Sequence, residues 1–198
     1  MFVYEKKLQY PVRIKNTNPQ LASFIISQYG GPDGELGASL RYLSQRYAMP
    51  CPELKGLLTD IGVEELGHLE MIGTIVHQLT RNLSPDDPRM GNFAPYFTDH
   101  GVGVYPAAAS GSPWNAAYIG VEGDPIWDLT EDLAAEQKAR VTYDNILRQS
   151  DDPDVSDVIR FLREREIVHF QRFGEAIRIA KEKLDQKNVY FTNPVLDK

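Results

Sequence analysis

The 198-residue sequence predicts an all-α fold, a four-helix bundle of two antiparallel helix hairpins joined by one long crossover. Three observations predict it. Four segments with helical periodicity each begin at an X-Pro step. The chain repeats itself at a spacing of 101 residues. Between the repeats lies a long stretch rich in Gly, Pro, Asn and Ser with no sustained period.

The four starts are Asn18-Pro19, Cys51-Pro52, Asp124-Pro125 and Asp152-Pro153. Proline suits the first helical position, because its missing N–H would be unpaired there in any case. Asn18, Asp124 and Asp152 are good N-caps, and Cys51 is a poor one. Helices are expected over 19–48, 52–81, 125–149 and 153–185. The short turns "AMPC" and "SDDP" imply antiparallel hairpins. Residues 82–124 form the crossover, long enough to suggest a lid or contact surface. The chain reads as one domain, 1–198. Extended arms at 1–17 and 186–198 are expected to pack on this bundle or on a neighbouring subunit.

The repeat aligns without a gap. Glu35 falls on Glu136, Tyr42 on Tyr143, Glu65 on Glu166, His68 on His169 and Gly73 on Gly174. In each half a lone glutamate precedes a Glu-x-x-His pair by 30 residues. Glu and His three apart share a helix face. In an antiparallel hairpin, residues equidistant from the turn lie side by side. Glu35, Glu65, His68, Glu136, Glu166 and His169 can therefore meet at one level of the bundle.

One Glu-x-x-His is a weak signal, and a lone glutamate is by default a solvated surface residue. The complete set is different. A glutamate from each of two helices plus Glu-x-x-His from the other two is the ligand pattern of a carboxylate-bridged dinuclear metal site. Oxygen donors with imidazole suit manganese or iron. Four buried ionised glutamates without cations would be prohibitively costly. Tyr42 and Tyr143, seven residues after Glu35 and Glu136, are candidate partners of ligand carboxylates, with simple packing as the alternative. His77 and His100 lack such partners and read as surface or loop histidines. Glu64 is turned about 100° from Glu65 and reads as outside the site.

The bulk composition narrows the partners. The formal net charge is −7 and no basic patch is evident, which argues against nucleic acid or anionic membrane. One cysteine excludes an intramolecular disulfide. No apolar run approaches the ~20 residues of a membrane span, and no signal peptide is evident. The expectation is a soluble protein made in the cytoplasm.

The stretches "DGELGASLRYLSQRY", "DIGVEELGHLEMIGTIV", "DLAAEQKARVTYDNIL" and "DDPDVSDVIRFLREREIVHFQRF" resemble the manganese catalases of the ferritin-like fold, over nearly the whole chain. The likeness is greatest to a short spore-coat member. The resemblance implies disproportionation of hydrogen peroxide, with two manganese ions per subunit bridged by oxide, hydroxide or water. Iron remains possible in their place. It implies Glu35 as the bridging ligand, Glu65 and His68 on one ion, Glu136 and His169 on the other, and Glu166 beyond the ligands moving protons. It further implies a homo-oligomer, commonly a hexamer, location in the spore coat and contact with other coat proteins. Some members carry an arginine where this chain has Ala135, which alters access to the metals. The alternatives are a structural coat protein with little catalysis and a di-iron oxidase.

Overall fold

The structure, a computed structural model, describes residues 3–84, 86–101 and 103–184. The expected C-terminal arm, 186–198, lies outside them. Six α-helices are described: α1 (Pro19–Gly30), α2 (Glu35–Gln45), α3 (Pro52–Thr80), α4 (Ala94–His100), α5 (Pro125–Gln149) and α6 (Pro153–Lys183). Among the described residues there is no strand, only one isolated bridge between Ala107 and Pro113. In the bundle α1 and α2 run end to end as one pillar; α3, α5 and α6 are the others.

The starts form as their residues dictate. The Asn18 side chain accepts from Leu21 N–H at 3.0 Å, Asp124 from Trp127 N–H at 2.8 Å, and Asp152 from Asp154 N–H at 2.9 Å. Cys51 makes no side-chain cap bond.

The helix expected over 19–48 is interrupted. It breaks at Gly31–Gly34, and its last residues, Arg46–Ala48, tighten into a 3₁₀ turn. The cause is "GGPDG". A Cβ on Gly34 would lie 2.6 Å from Ser27 O, a distance no side chain tolerates. The consequence is functional, because Glu35 becomes the first residue of α2. Its carboxylate sits at the positive end of that helix.

The crossover is also more ordered than its composition suggests. It holds a 3₁₀ segment over Pro88–Phe93, then α4, then a 3₁₀ turn over Ala116–Tyr118. Phe97 of α4 is buried in the core. The loop then crosses the α1–α2 break so closely that a Cβ on Gly30 would lie 2.3 Å from Pro106.

The N-terminal arm packs on this bundle, tying α3 to α6. Gln78 grips it through the Ile14 N–H and the Val12 carbonyl, at 2.7 and 3.0 Å. Tyr10 stacks on Phe161 and donates to Asp157 at 2.8 Å.

The apolar core is divided in two. One cluster gathers Ile25, Met71, Ile75, Ile159 and Leu162. The other gathers Leu54, Leu58, Leu129, Phe173 and Ala180. Along α3 the order is Leu54, Leu58, Ile61, then Glu65 and His68, then Met71, Ile72 and Ile75. Along α6 the same switch from apolar to polar and back falls at Glu166 and His169. Both helices thus place their polar turn at one level, between the two clusters.

Candidate metal centre

That level holds all six residues of the repeat. Glu35, Glu65, His68, Glu136, Glu166 and His169 are each no more than 2% exposed. Two overlapping groups form: Glu35, Glu65, His68 and Glu166, then Glu65, Glu136, Glu166 and His169. In each, the donor atoms lie within 4.8 Å of one another.

Glu65 stands between the imidazoles. Its Oε2 is 2.8 Å from His68 Nδ1 and its Oε1 is 2.7 Å from His169 Nδ1. Glu35 lies 3.9 Å from His68 Nδ1, and Glu136 lies 3.6 Å from His169 Nδ1. Glu65 and Glu166 are shared by both groups, and of the two Glu65 is the one close to both imidazoles, whereas the resemblance implied Glu35 as the bridge. Glu35 belongs to the His68 side alone. The two rings stack 5.6 Å apart.

The tyrosines cross over. Tyr42 donates to Glu136 Oε1 at 2.6 Å, and Tyr143 donates to Glu35. Each is fully buried and reaches from its own half of the repeat to the glutamate of the other. Both hydroxyls are held far above the ordinary tyrosine range, by burial first and then by the facing carboxylates. They stay protonated and donate.

Glu64 is closer to this centre than its rotation on the helix suggested. It is turned away from the carboxylate cluster, yet it lies behind both rings. Its oxygens are 3.5 Å from His68 Nε2 and 3.1 Å from His169 Nε2. Arg165 donates to it at 2.6 and 3.2 Å, and Gln9 of the arm at 2.8 Å. Arg165 is the repeat equivalent of Glu64. The pair spans the axis that relates the halves. A missed signal was available: an imidazole has two nitrogens, and a residue facing away from the first can face the second. His77 lies exposed on α3, and His100 stacks on Tyr105 with ring centroids 3.9 Å apart, both away from the site.

The charges reveal what the cluster is built to hold. Burial pushes Glu35 and Glu166 well above the carboxylate range, and Glu136 upward, with neighbouring carboxylates adding to it. Burial works the same way on Glu65, but His169 and His68 overcome it and hold Glu65 low. Against their own burial, and chiefly through Glu65, His68 rises to about 10 and His169 to about 12. Glu65 Oε1, Glu136 Oε2, Glu166 Oε1 and His169 Nδ1 have no hydrogen-bond partner. Four carboxylates and two imidazoles therefore converge with lone pairs unspent. Two divalent cations fit this donor set.

The sequence matches the family model for manganese containing catalase over residues 1–195. The chain belongs to the manganese catalase family. It is 53% identical to Protein CotJC of Bacillus subtilis over 96% of this chain and all of that one. It is 35% identical to a probable manganese catalase of Clostridium acetobutylicum, over 95% of this chain and 84% of the relative. The crystal structure of KatB, a manganese catalase from Anabaena, superposes with a TM-score of 0.86 at 32% identity. That match covers 98% of this chain and 85% of KatB. Manganese catalases are ferritin-like bundles with a dinuclear manganese centre, and the buried Glu/His cluster is this chain's counterpart.

Proposed function

We propose that the chain is a manganese catalase converting two molecules of hydrogen peroxide to two of water and one of dioxygen. One observation carries the reading. A single buried carboxylate, Glu65, stands between two imidazoles from opposite halves of a repeat, with Glu35 and Glu166 beside His68 and Glu136 beside His169. Glu65 is the proposed bridging ligand. Glu35 and His68 would hold one manganese ion, and Glu136 and His169 the other.

The bound pair supplies two-electron redox capacity, so that oxidation of one peroxide is balanced by reduction of the next. The chain's own residues do the rest. Tyr42 and Tyr143 fix Glu136 and Glu35 by hydrogen bonds that also moderate their charge. The Glu64 charge, 3.5 and 3.1 Å from the two Nε2 atoms though not hydrogen-bonded to either, favours a proton on each Nε2 and so leaves each Nδ1 lone pair facing inward. Glu166, 3.8 Å from His68 Nδ1 and shared by both donor groups, is given the proton-moving role on the family resemblance. Oxidising one peroxide releases two protons and reducing the next consumes two. A buried carboxyl beside the reaction can take a proton and return it. The apolar clusters on either side keep bulk water out.

Oxygen evolution from peroxide by manganese-loaded protein tests this, with wild type and His169→Ala compared. Activity is expected in the first and its loss in the second, because one ion of the pair loses its imidazole ligand. Equal rates would overturn the assignment. Manganese rather than iron in protein isolated from its host is the matching expectation, checked by metal analysis.

Assembly and location belong to the same proposal. A homo-hexamer is expected, read by light scattering after gel filtration. The spore coat is the proposed location, on the resemblance to a short coat member, and contact with other coat proteins would follow. Recovery of the protein with the coat fraction of purified spores would support it.

A further inference from the structure

A buried polar column runs between α2 and α5, starting at Glu136 of the carboxylate–imidazole cluster and leading away from it. Asp128, Asp132 and Glu136 follow one another at four-residue spacing down α5, and Arg41 and Gln45 face them from α2. All five are at most 1% exposed.

The outer end of the column is satisfied and the inner end partly so. At the outer end the loop 118–123 closes it with backbone. Arg41 Nη2 donates to Tyr118 O at 2.9 Å and Gln45 Nε2 to Gly120 O at 2.9 Å. The Glu122 and Gly123 N–H groups donate to Asp128 at 2.9 and 3.3 Å. At the inner end Tyr42 donates to Glu136. The middle is not satisfied. Both oxygens of Asp132, Gln45 Oε1, and Arg41 Nε and Nη1 lack a hydrogen-bond partner. Each such atom left bare is costly, because it has given up water and gained no partner. Asp132 is pushed well above the carboxylate range, by burial first, against the opposing pull of Gln45 and Arg41.

The bundle itself does not require this column. At the equivalent places in the other half stand Ser27, Gly31, Thr142 and Ile146. There Ser27, Thr142 and Ile146 line a mostly apolar surface pocket, without a carboxylate or a guanidinium. The polar lining is one-sided, and it leads to one face of the site. Buried donors and acceptors left without protein partners are what ordered waters satisfy. Hydrogen peroxide has the same size class and the same double capacity to donate and accept.

We propose that the Arg41–Gln45–Asp128–Asp132 column is a hydrated passage carrying water and hydrogen peroxide between the loop 118–123 and the Glu136 side of the site. Its cargo rests on the peroxide reading; its hydration does not. The outer mouth is tight. A Cβ on Gly120 would lie 2.8 Å from the Trp127 ring and 3.3 Å from Glu131. Passage therefore goes with small movements of the loop against Trp127.

Two measurements on the manganese-loaded protein test it. A high-resolution crystal structure is expected to show ordered water within hydrogen-bond distance of the Asp132 carboxyl. Stopped-flow binding of azide, a small polar probe, is compared between wild type, Asp132→Leu/Gln45→Leu, Asp132→Asn and the opposite-side control Thr142→Val. A passage changes rates and not equilibria. In the double variant, azide association and dissociation should slow together by about tenfold, with Kd unchanged. Asp132→Asn should retain most of the rate, and Thr142→Val all of it. The kcat/KM for peroxide should fall in parallel with azide association. A dry column, unchanged azide rates in the double variant, or a Kd that weakens as much as the rates fall would each overturn the passage. Wild-type protein that takes up azide through the column but evolves no oxygen would end the catalase reading and leave the passage standing.

Discussion

Glu64 and Glu65 are neighbours in the chain with opposite duties at the same two imidazoles. Glu65 meets both Nδ1 atoms from the front, and Glu64 meets both Nε2 atoms from behind. Carboxylates behind ligating histidines set ring orientation and tautomer, and losing one costs about 10–100-fold in metal affinity. Glu64→Gln keeps the shape and removes the charge. It should weaken manganese binding by about that factor, measured by competition with a chelator, because it faces both rings. Affinity within twofold of wild type would show that Glu64 serves only Arg165 and Gln9. Glu166→Gln separates the other duty. Manganese content should stay at two ions per chain while kcat falls by about 10²–10⁴, the ordinary worth of a positioned proton carrier. Loss of metal instead would place Glu166 among the ligands. The six clustered glutamates and histidines were legible in the sequence, since the repeat paired them, whereas Glu64, whose repeat equivalent is Arg165, was not. Nor was the central place of Glu65. It depends on which carboxylate reaches across the axis, and spacing along two equivalent halves is blind to that.

At the scale of elements, helices that begin with Asn or Asp before Pro were legible because cap and first turn are local. The break between α1 and α2 was masked by apolar spacing that continues across it, although "GGPDG" carries the signal. That break positions Glu35, so its chemistry can be tested. Gly34→Ala drives a methyl against Ser27 O and Gln28 O, at 2.6 and 2.8 Å. A destabilisation of about 1–3 kcal/mol is expected, read by denaturant titration. The repeat-related glycines should part company. A Cβ on Gly73 meets the Tyr29 ring at 3.0 Å, while one on Gly174 meets nothing within 4 Å. Gly174→Ala should therefore gain about 0.5–1 kcal/mol through helix propensity. Gly73→Ala should gain less or lose stability. Equal gains at both positions would mean that α1 yields freely to α3. The inner structure of the crossover was not legible, because α4 is short and held by burying Phe97 rather than by any period of its own.

Across the whole molecule, the two halves meet at a layer of charge between two apolar clusters, and this layer governs how the fold responds to pH. In the metal-free protein the raised imidazoles supply the positive charge that Glu65 and Glu64 require. His68 rises from its ordinary 6.5 to about 10 and His169 to about 12. Groups raised on folding contribute stability that is fully present below the unfolded value, about 6.5. That stability is lost as pH rises through the folded values. Metal-free protein should thus lose stability steadily from about pH 6.5 toward 10. Manganese competes with the same protons for Nδ1, so loading must expel them. About two or more protons should be released per chain on binding two ions near neutral pH, and affinity should strengthen as pH rises. With two protons displaced, the product of the two binding constants changes by about a hundredfold per pH unit in the window where both rings are charged. Calorimetric titration in buffers of different ionisation enthalpy counts the protons directly. Melting curves of the metal-free and loaded forms should diverge as pH rises, the loaded form holding nearly level. Binding that is indifferent to pH would mean the rings are already neutral in the empty layer. The charge balance would then have to come from protonated glutamates, whose loss on loading would appear at lower pH instead.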